Sequence, residues 1–462
     1  MSGDGVDQVR FAELEARAEV LEGEHKLEEA RDALDSALAL DPSSQSCAEA
    51  RARIALQLRE ENAAVHCARA LAFHRDHPER QMRMLETAAL EIGSGAIPLF
   101  ETYVQDHPTN VAAHEQLAEL KAQAGAGEQC FAGYLGALRT DPHCRPLLMS
   151  YWKNLARSGR HLETLEAMDL QRGLFDRDRD FMMLEVRIAN QAGLTDRAGS
   201  LLEQLDDRPD AQLARGQHRL QIGRPDEAAR MLEQVVTALP DSHMGWALLE
   251  LAWRIAGDRR QHWLVGQPGL YRAMELDLGG EQLADIGALL RTLHSARSQP
   301  LGQSVRGGTQ TRGELLMRTE PEMEVLIAAL VTAIQRFLAQ LPPPDPRHPL
   351  LRHTNSEMAF GPSWSVRLSG GGFHAAHFHP GGIISSACYI NLPGDLGNES
   401  EKAGWLELGR PPPEFGLDLP PLATFEPKPG RLVLFPSFLF HGTRPFAAGE
   451  RLTVAFDLVR AA

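Results

Sequence analysis

The sequence predicts a multidomain chain of mixed α and β class. An α-solenoid of helix–turn–helix repeats fills the first half, and an antiparallel β-barrel or sandwich with supporting helices follows. Three observations lead there. An apolar helical period with a recurring unit runs from residue 11 to about 255; from Ser363 the apolar period becomes two; and 462 residues exceed what one hydrophobic core usually organises. The boundaries that follow are 1–257 for the repeats, 258–345 for a helical bridge and support helices, and 346–462 for the β domain.

The clearest repeat is Phe11–Ser44. Leu14, Ala18 and Leu21 line one expected helix and Ala30, Leu34 and Ala37 the next, while Asp41-Pro42 ends the unit because proline cannot continue a helix. The small Ala18 and Ala30 let the two helices approach closely. Asp41-Pro42, His77-Pro78, His107-Pro108 and Asp141-Pro142 recur at intervals of 36, 30 and 34 residues. A glycine followed by an alanine and a leucine recurs at Gly193/Ala198/Leu202 and Gly223/Ala228/Leu232, and Gly159 lies 34 residues before Gly193. These strings resemble the tetratricopeptide repeat, a helix–turn–helix module of about 34 residues, in about six to seven copies. The resemblance implies units that bury their apolar faces by stacking and present a concave groove to a protein or peptide. An array that only dimerises the chain or shields the second domain is the alternative reading.

Bulk properties exclude some classes. A formal charge of −15 argues against nucleic acid as the main partner, because phosphate binding needs a basic surface. Cys47, Cys67, Cys130, Cys144 and Cys388 are scattered, with no CxxC pair, as in a chain with reduced thiols. The opening Met-Ser-Gly-Asp-Gly-Val-Asp lacks an apolar signal core, and no run approaches the roughly 18 apolar residues of a membrane span. The expectation is a cytoplasmic protein with no membrane contact. The sequence leaves the oligomeric state open.

Between the halves, Gln303–Thr311 reads as a polar, glycine-bearing loop. Thr311/Glu314 and Thr319/Glu322 read as capping boxes, and Leu326, Leu330, Ile334 and Phe337 as the buried stripe of a helix over about 320–340. Beyond it Trp364, Val366 and Leu368 alternate with polar residues. Further strands are expected at 383–392, 405–408, 431–435 and 451–459, separated by Gly and Pro clusters.

The β region carries the candidate chemistry. His377 and His379 are two residues apart, so on an extended strand they share a face and reach one ion. His441 follows a buried apolar run that a barrel can bring alongside. His374, at an odd spacing from His377, points elsewhere. Three imidazoles are a ligand set for a redox metal or for zinc. His379 either completes that set or hydrogen-bonds a water on the ion. Arg451 is a permanent cation able to grip a carboxylate in bidentate fashion. Thr453 shares its face, and Ser385 and Tyr389 supply further hydroxyls. Arg306 and Gln310 are candidates for the rim of the site. Asp457 could supply a carboxylate, but its distance along the strand from Arg451 argues against it, and Cys388 reads as inert core.

Four strings resemble the 2-oxoglutarate- and Fe(II)-dependent oxygenase superfamily, and within it a bacterial and phage group with His-x-His: residues 303–311, His-Phe-His-Pro-Gly-Gly-Ile-Ile-Ser-Ser-Ala-Cys-Tyr (377–389), 429–441, and Glu-Arg-Leu-Thr-Val-Ala-Phe-Asp (450–457). The resemblance covers about residues 295–462 and implies a double-stranded β-helix, or jelly roll. It implies His377 and His441 as Fe(II) ligands, His379 in the position where a carboxylate is usual, and Arg451 on the distal carboxylate of 2-oxoglutarate. The implied reaction consumes 2-oxoglutarate and dioxygen and hydroxylates a C–H bond of a protein, peptide or small molecule presented by the repeats. Two alternatives stay open: a halogenase-type variant, disfavoured by the bulk of His379, and a non-catalytic scaffold with a zinc-holding or retired oxygenase domain. Substrate choice would lie in the loops 394–402 and 411–422.

Overall fold

The computed structural model describes residues 3–394, 396 and 401–461. It bears out the expected class: seventeen α-helices among the described residues, followed by antiparallel sheets. The chain forms two compact units, Met1–Ser150 and Tyr151–Ala462.

In the first unit, helices Gly3–Gly23 and Leu27–Leu40 form the expected pair. Ala18, Leu21, Ala30, Leu34 and Ala37 are buried between them and their neighbours. Asp41-Pro42, His107-Pro108 and Asp141-Pro142 lie between helices. Pro78 instead opens a helix, Pro78–Ile92, at its first turn, where its missing N–H costs nothing.

The second unit begins with further helix pairs ending at Ala256. Gly159, Gly193 and Gly223 sit in the turns within these pairs at φ of 87°, 72° and 73°. That left-handed conformation explains why glycine recurs there. Ala198 and Ala228, five residues on, are fully buried.

Nine strands follow among the described residues: β1 (Arg272–Glu275), β2 (Val305–Gln310), β3 (Met358–His374), β4 (Ile384–Asn391), β5 (Leu406–Leu408), β6 (Ala423–Phe425), β7 (Arg431–Pro436), β8 (His441–Thr443) and β9 (Arg451–Arg460). One sheet has the order β1-β7-β4-β9-β3-β2 and the other β6-β5-β8, with every pairing antiparallel. A lone bridge between His377 and His441 extends the smaller sheet past β8. The chain therefore crosses between sheets as a jelly roll does: β3 in the large sheet, His377 in the small, β4 in the large, β5 and β6 in the small, then β7, β8 and β9 alternating.

Strand alternation sorts the two faces. Leu452, Val454, Phe456 and Leu458 of β9, with Leu432 and Leu434 of β7, pack against helices Gly280–Leu293 and Pro321–Leu338. Val433, Phe435, Tyr389, Leu406 and Leu408 form a second cluster inside the barrel. Both faces of β7 are buried from Leu432 on, which is why 432–435 reads as an unbroken apolar run.

Three local expectations fail. Gln303–Thr311 is not a loop: Val305–Gln310 is an edge strand on β3, bulged between Arg306 and Gly308. Gly307 lies there at φ 69°, so its backbone favours glycine. Segment 258–345 thus supplies two strands as well as helices. Neither capping box forms. The Thr311 hydroxyl accepts from the Ser365 N–H, and Glu314 accepts from the Ser363 N–H; the helix starts later, with Glu320 at the cap and Pro321 in the first turn. At 303–311 and at Thr311/Glu314, tertiary partners on β3 outcompete the local motif. No described helix is long and apolar enough to cross a membrane.

Candidate metal centre and carboxylate pocket

His377 and His379 do not lie on a strand. They sit in the connection from β3 to β4, held by backbone bonds to two different places. His377 exchanges both backbone hydrogen bonds with His441, at 2.9 and 2.7 Å, and the His379 N–H donates to the Ser437 carbonyl at 3.0 Å. The three imidazoles converge without regular strand geometry. Their nearest ring nitrogens all lie within 4.8 Å of one another, and the His377 and His379 Nε2 atoms are 3.1 Å apart.

Each ring is oriented from behind. His377 Nδ1 donates to the Ala375 carbonyl and His441 Nδ1 to the Leu439 carbonyl, both at 2.9 Å. His379 Nδ1 lies 2.6 Å from Asp457 Oδ1. In each case the hydrogen-bonded Nδ1 leaves Nε2 as the lone-pair nitrogen, which is the tautomer an ion needs. Burial, and then the neighbouring His379, pushes His377 down to about 3, and burial followed by His377 and His379 holds His441 well below its ordinary value. Both are therefore neutral at pH 7, as ligation requires.

Asp457 is the residue the sequence reading undervalued. It lies on the inner face of β9 with Arg451 and Thr453, at the far end of that face. Six residues of strand, about 20 Å, separate it from Arg451 and put it beside the His379 imidazole. The equal parity of 451, 453 and 457 was the available signal. Ser385, expected near the co-substrate, is fully buried and donates to Asp457 Oδ1 at 2.6 Å, with Ser437 Oγ at 2.8 Å. Its hydroxyl steadies the Asp457–His379 pair and does not line the cavity. Gly382 makes room for this group: a Cβ there would meet Ser437 Oγ at 2.6 Å and the Asp457 carboxyl carbon at 2.8 Å.

A cavity of about 560 Å³ opens over the imidazoles, with Arg451, Thr453 and Asp457 on its wall and Gln310, Glu314 and Trp364 among its other lining residues. Arg451 is 2% exposed. One guanidinium nitrogen donates to the Gly404 carbonyl at 2.7 Å, Nε has no partner, and no carboxylate pairs with it among the described residues. Tyr389 packs beneath the guanidinium, 5.1 Å from ring centroid to Cζ, and its buried hydroxyl also lacks a partner. Thr453 makes only a long contact, 3.5 Å, to the Val366 carbonyl. A buried guanidinium and phenol with unmet hydrogen-bonding capacity fit an anionic ligand, since leaving them unpaired is costly.

His374, set aside on spacing, also lines the cavity, with its Nδ1 3.2 Å from Ser304 Oγ and its ring stacked 6.2 Å from His377. Gln310 is on the lining, whereas Arg306 turns back to the Gln303 and Val305 carbonyls. Cys388 is buried, and burial pushes its thiol up to about 12. Of the two loops expected to choose substrate, 394–402 falls mostly outside the described residues.

Residues 362–457 match the family model described as "Putative 2OG-Fe(II) oxygenase". No curated protein matches the chain. Among solved structures, a Pseudomonas putida prolyl-4-hydroxylase is 18% identical, covering 42% of this chain and 94% of its own, with a TM-score of 0.31. A tetratricopeptide repeat protein from Parabacteroides merdae is 14% identical over 53% of this chain and 98% of its own, with a TM-score of 0.30. HygX from Streptomyces hygroscopicus, with nickel and 2-oxoglutarate bound, is 14% identical over 44% and 87%, with a TM-score of 0.27.

Proposed function

We propose that the C-terminal domain is a 2-oxoglutarate- and Fe(II)-dependent dioxygenase that hydroxylates a protein, peptide or small molecule. The observation that carries this reading is one cavity holding both three imidazoles with free Nε2 atoms and a buried arginine without a carboxylate partner among the described residues. His377, His379 and His441 would hold Fe(II). When bound, the ion supplies dioxygen activation coupled to oxidative decarboxylation of 2-oxoglutarate.

The chain's own residues supply position and charge. Arg451 takes the distal carboxylate of the co-substrate, with Thr453 and Tyr389 offering hydroxyls beside it. Asp457 receives the His379 Nδ1–H and places a negative charge behind the ligand, replacing in part the charge a carboxylate ligand would bring. A dication, the guanidinium and the Asp457 carboxylate leave two positive charges, which a dicarboxylate cancels. Burial of Phe435 against His441, at a ring distance of 4.7 Å, keeps water off that side of the site.

A zinc-holding module would account for the histidines but not for an arginine in the same cavity that has no carboxylate partner among the described residues. The His379 ring fills the place a halide would need, which disfavours the halogenase variant. A protein or peptide partner falls to the repeats up to Ser150, because the first helices of later pairs carry this chain's own segment 409–422: the Gln221 side chain donates to the Glu414 carbonyl and Arg254 to those of Gly409 and Pro420.

The test is succinate formation from 2-oxoglutarate with added Fe(II) under air. Turnover is expected from the wild type, none from His441→Ala, and from Arg451→Met only at roughly ten- to a hundredfold more 2-oxoglutarate. Equal turnover by Arg451→Met, or tightly held zinc with no 2-oxoglutarate binding, would sink the reading.

A further inference from the structure

Helix His243–Ala256 belongs in sequence to the repeats, and packs on the preceding helix Pro225–Ala238 through Leu232 and Val236. Its opposite contacts are with the metal centre. At its first turn, capped by Ser242, His243 Nδ1 donates to the backbone carbonyl of His379 at 2.6 Å. In its last turn Arg254 donates to the Gly409 carbonyl at 2.5 Å. The Gly409 N–H in turn donates to the carbonyl of Phe440, next to His441, at 2.6 Å, and Leu408 is the β5 partner of His441. Between these ends Trp246, Leu249 and Trp253 share one buried cluster with Phe438, Leu439 and Phe440. One helix therefore braces both stretches of chain that carry ligands.

The brace matters most at His379. This residue lies outside any strand and is followed by Pro380, Gly381 and Gly382, so no ladder holds its carbonyl. Its tethers are instead its N–H on Ser437, its Nδ1 beside Asp457 and Ser385, and its carbonyl on His243. Only the last comes from the repeat array.

We propose that His243 is a positioning residue for the metal site, so that ion affinity depends on a hydrogen bond donated by the last repeat helix. This rests on reading His377, His379 and His441 as ligands. It makes the repeats from Tyr151 onward part of the oxygenase unit, and it gives a displacement of that helix a direct route to the ion.

The experiment titrates full-length apo protein anaerobically with Co(II) alone, reading affinity by calorimetry and ligand geometry from the visible bands. His243→Asn retains an N–H donor close to the Nδ1 position; His243→Asp has the same size but turns an acceptor toward the carbonyl; His243→Leu removes the donor. Asn is expected to bind as the wild type does. Asp and Leu are expected to lose roughly ten- to a hundredfold in affinity, the range seen when groups supporting a ligand are removed, with shifted bands. If Leu fails to fold, the near-isosteric Asn and Asp pair still decides. Wild-type affinity in the Asp variant, or equal losses in Asn and Asp, would overturn the proposal. Failure of the wild type itself to bind Co(II), or unchanged binding by His441→Ala, would instead overturn the metal reading beneath it.

Discussion

His377 and His441, from opposite ends of the β domain's sequence, face each other across a single antiparallel bridge and exchange both backbone hydrogen bonds, at 2.9 and 2.7 Å. Their rings lie 4.2 Å apart, and each is locked by a backbone carbonyl two residues before it. The two imidazoles are thus brought together by main-chain pairing.

Closeness of two backbones at this bridge demands glycine at 442. A Cβ there would meet the His374 carbonyl oxygen at 2.9 Å and the Ala376 nitrogen at 3.1 Å, both main-chain atoms that no rotamer change can move. Gly442→Ala should destabilise the fold by about 1–3 kcal/mol and weaken metal binding together. Gly381→Ala, with nothing within 4 Å of the added carbon, should leave both little changed. Thermal unfolding and Co(II) titration of the two variants make the comparison.

Asp457→Asn keeps the size of the side chain but removes the charge that faces His379 Nδ1 at 2.6 Å. Metal affinity should fall by about ten- to a hundredfold, with His377→Ala and His441→Ala falling further. Calorimetry with Fe(II) under anaerobic conditions reads the order; an Asp457→Asn variant that binds as tightly as wild type would remove Asp457 from the site.

Arg451→Met should separate co-substrate from metal. The charge-assisted bonds lost are worth about 1.5–3 kcal/mol, or roughly ten- to a hundredfold in 2-oxoglutarate affinity, while Co(II) binding stays intact. Because the buried cation has no carboxylate partner among the described residues, replacing it with an apolar side chain should leave the apo protein as stable or more so. A 2-oxoglutarate titration of Co(II)-loaded protein and a melting curve of apo protein check the two halves.

Acid should weaken the second unit through His348, which does not line the cavity over the imidazoles. It is fully buried, its Nε2 donates to the Leu264 carbonyl at 2.9 Å, and its Nδ1 accepts the N–H groups of Leu350 and Leu351. Burial pushes it down to about 4. The unfolded chain protonates near 6.5 and the folded one only near 4, so the stability contribution is complete above 6.5 and is lost as pH falls through about 4. His348→Gln, which keeps an N–H donor but cannot take up the proton, should flatten that part of the stability curve in denaturant titrations from pH 7 to 4.

Much of the β domain was legible because burial on both sides of a strand leaves a pattern. Leu452, Val454, Phe456 and Leu458 face the helices while Arg451, Thr453 and Asp457 face the barrel, and that alternation stands in the chain itself. Gly159, Gly193 and Gly223 were legible for a similar reason, since a left-handed turn needs glycine wherever it occurs. What failed were inferences from short local motifs. Thr311 and Glu314 look like a cap, yet their partners are Ser365 and Ser363, on a strand that only folding brings near.

The sequence by itself determined the order of a helical array and an antiparallel β domain, the candidate imidazoles and the cation, because periodicity and side-chain chemistry are carried residue by residue. Tertiary structure alone decided that Ser385 serves Asp457 instead of the co-substrate, that Asp457 stands behind His379, and that His243 holds the His379 carbonyl from 136 residues away. Such hydrogen bonds depend on distances of about 3 Å between remote segments, and no spacing along the chain encodes a distance that appears only when the sheets and helices pack.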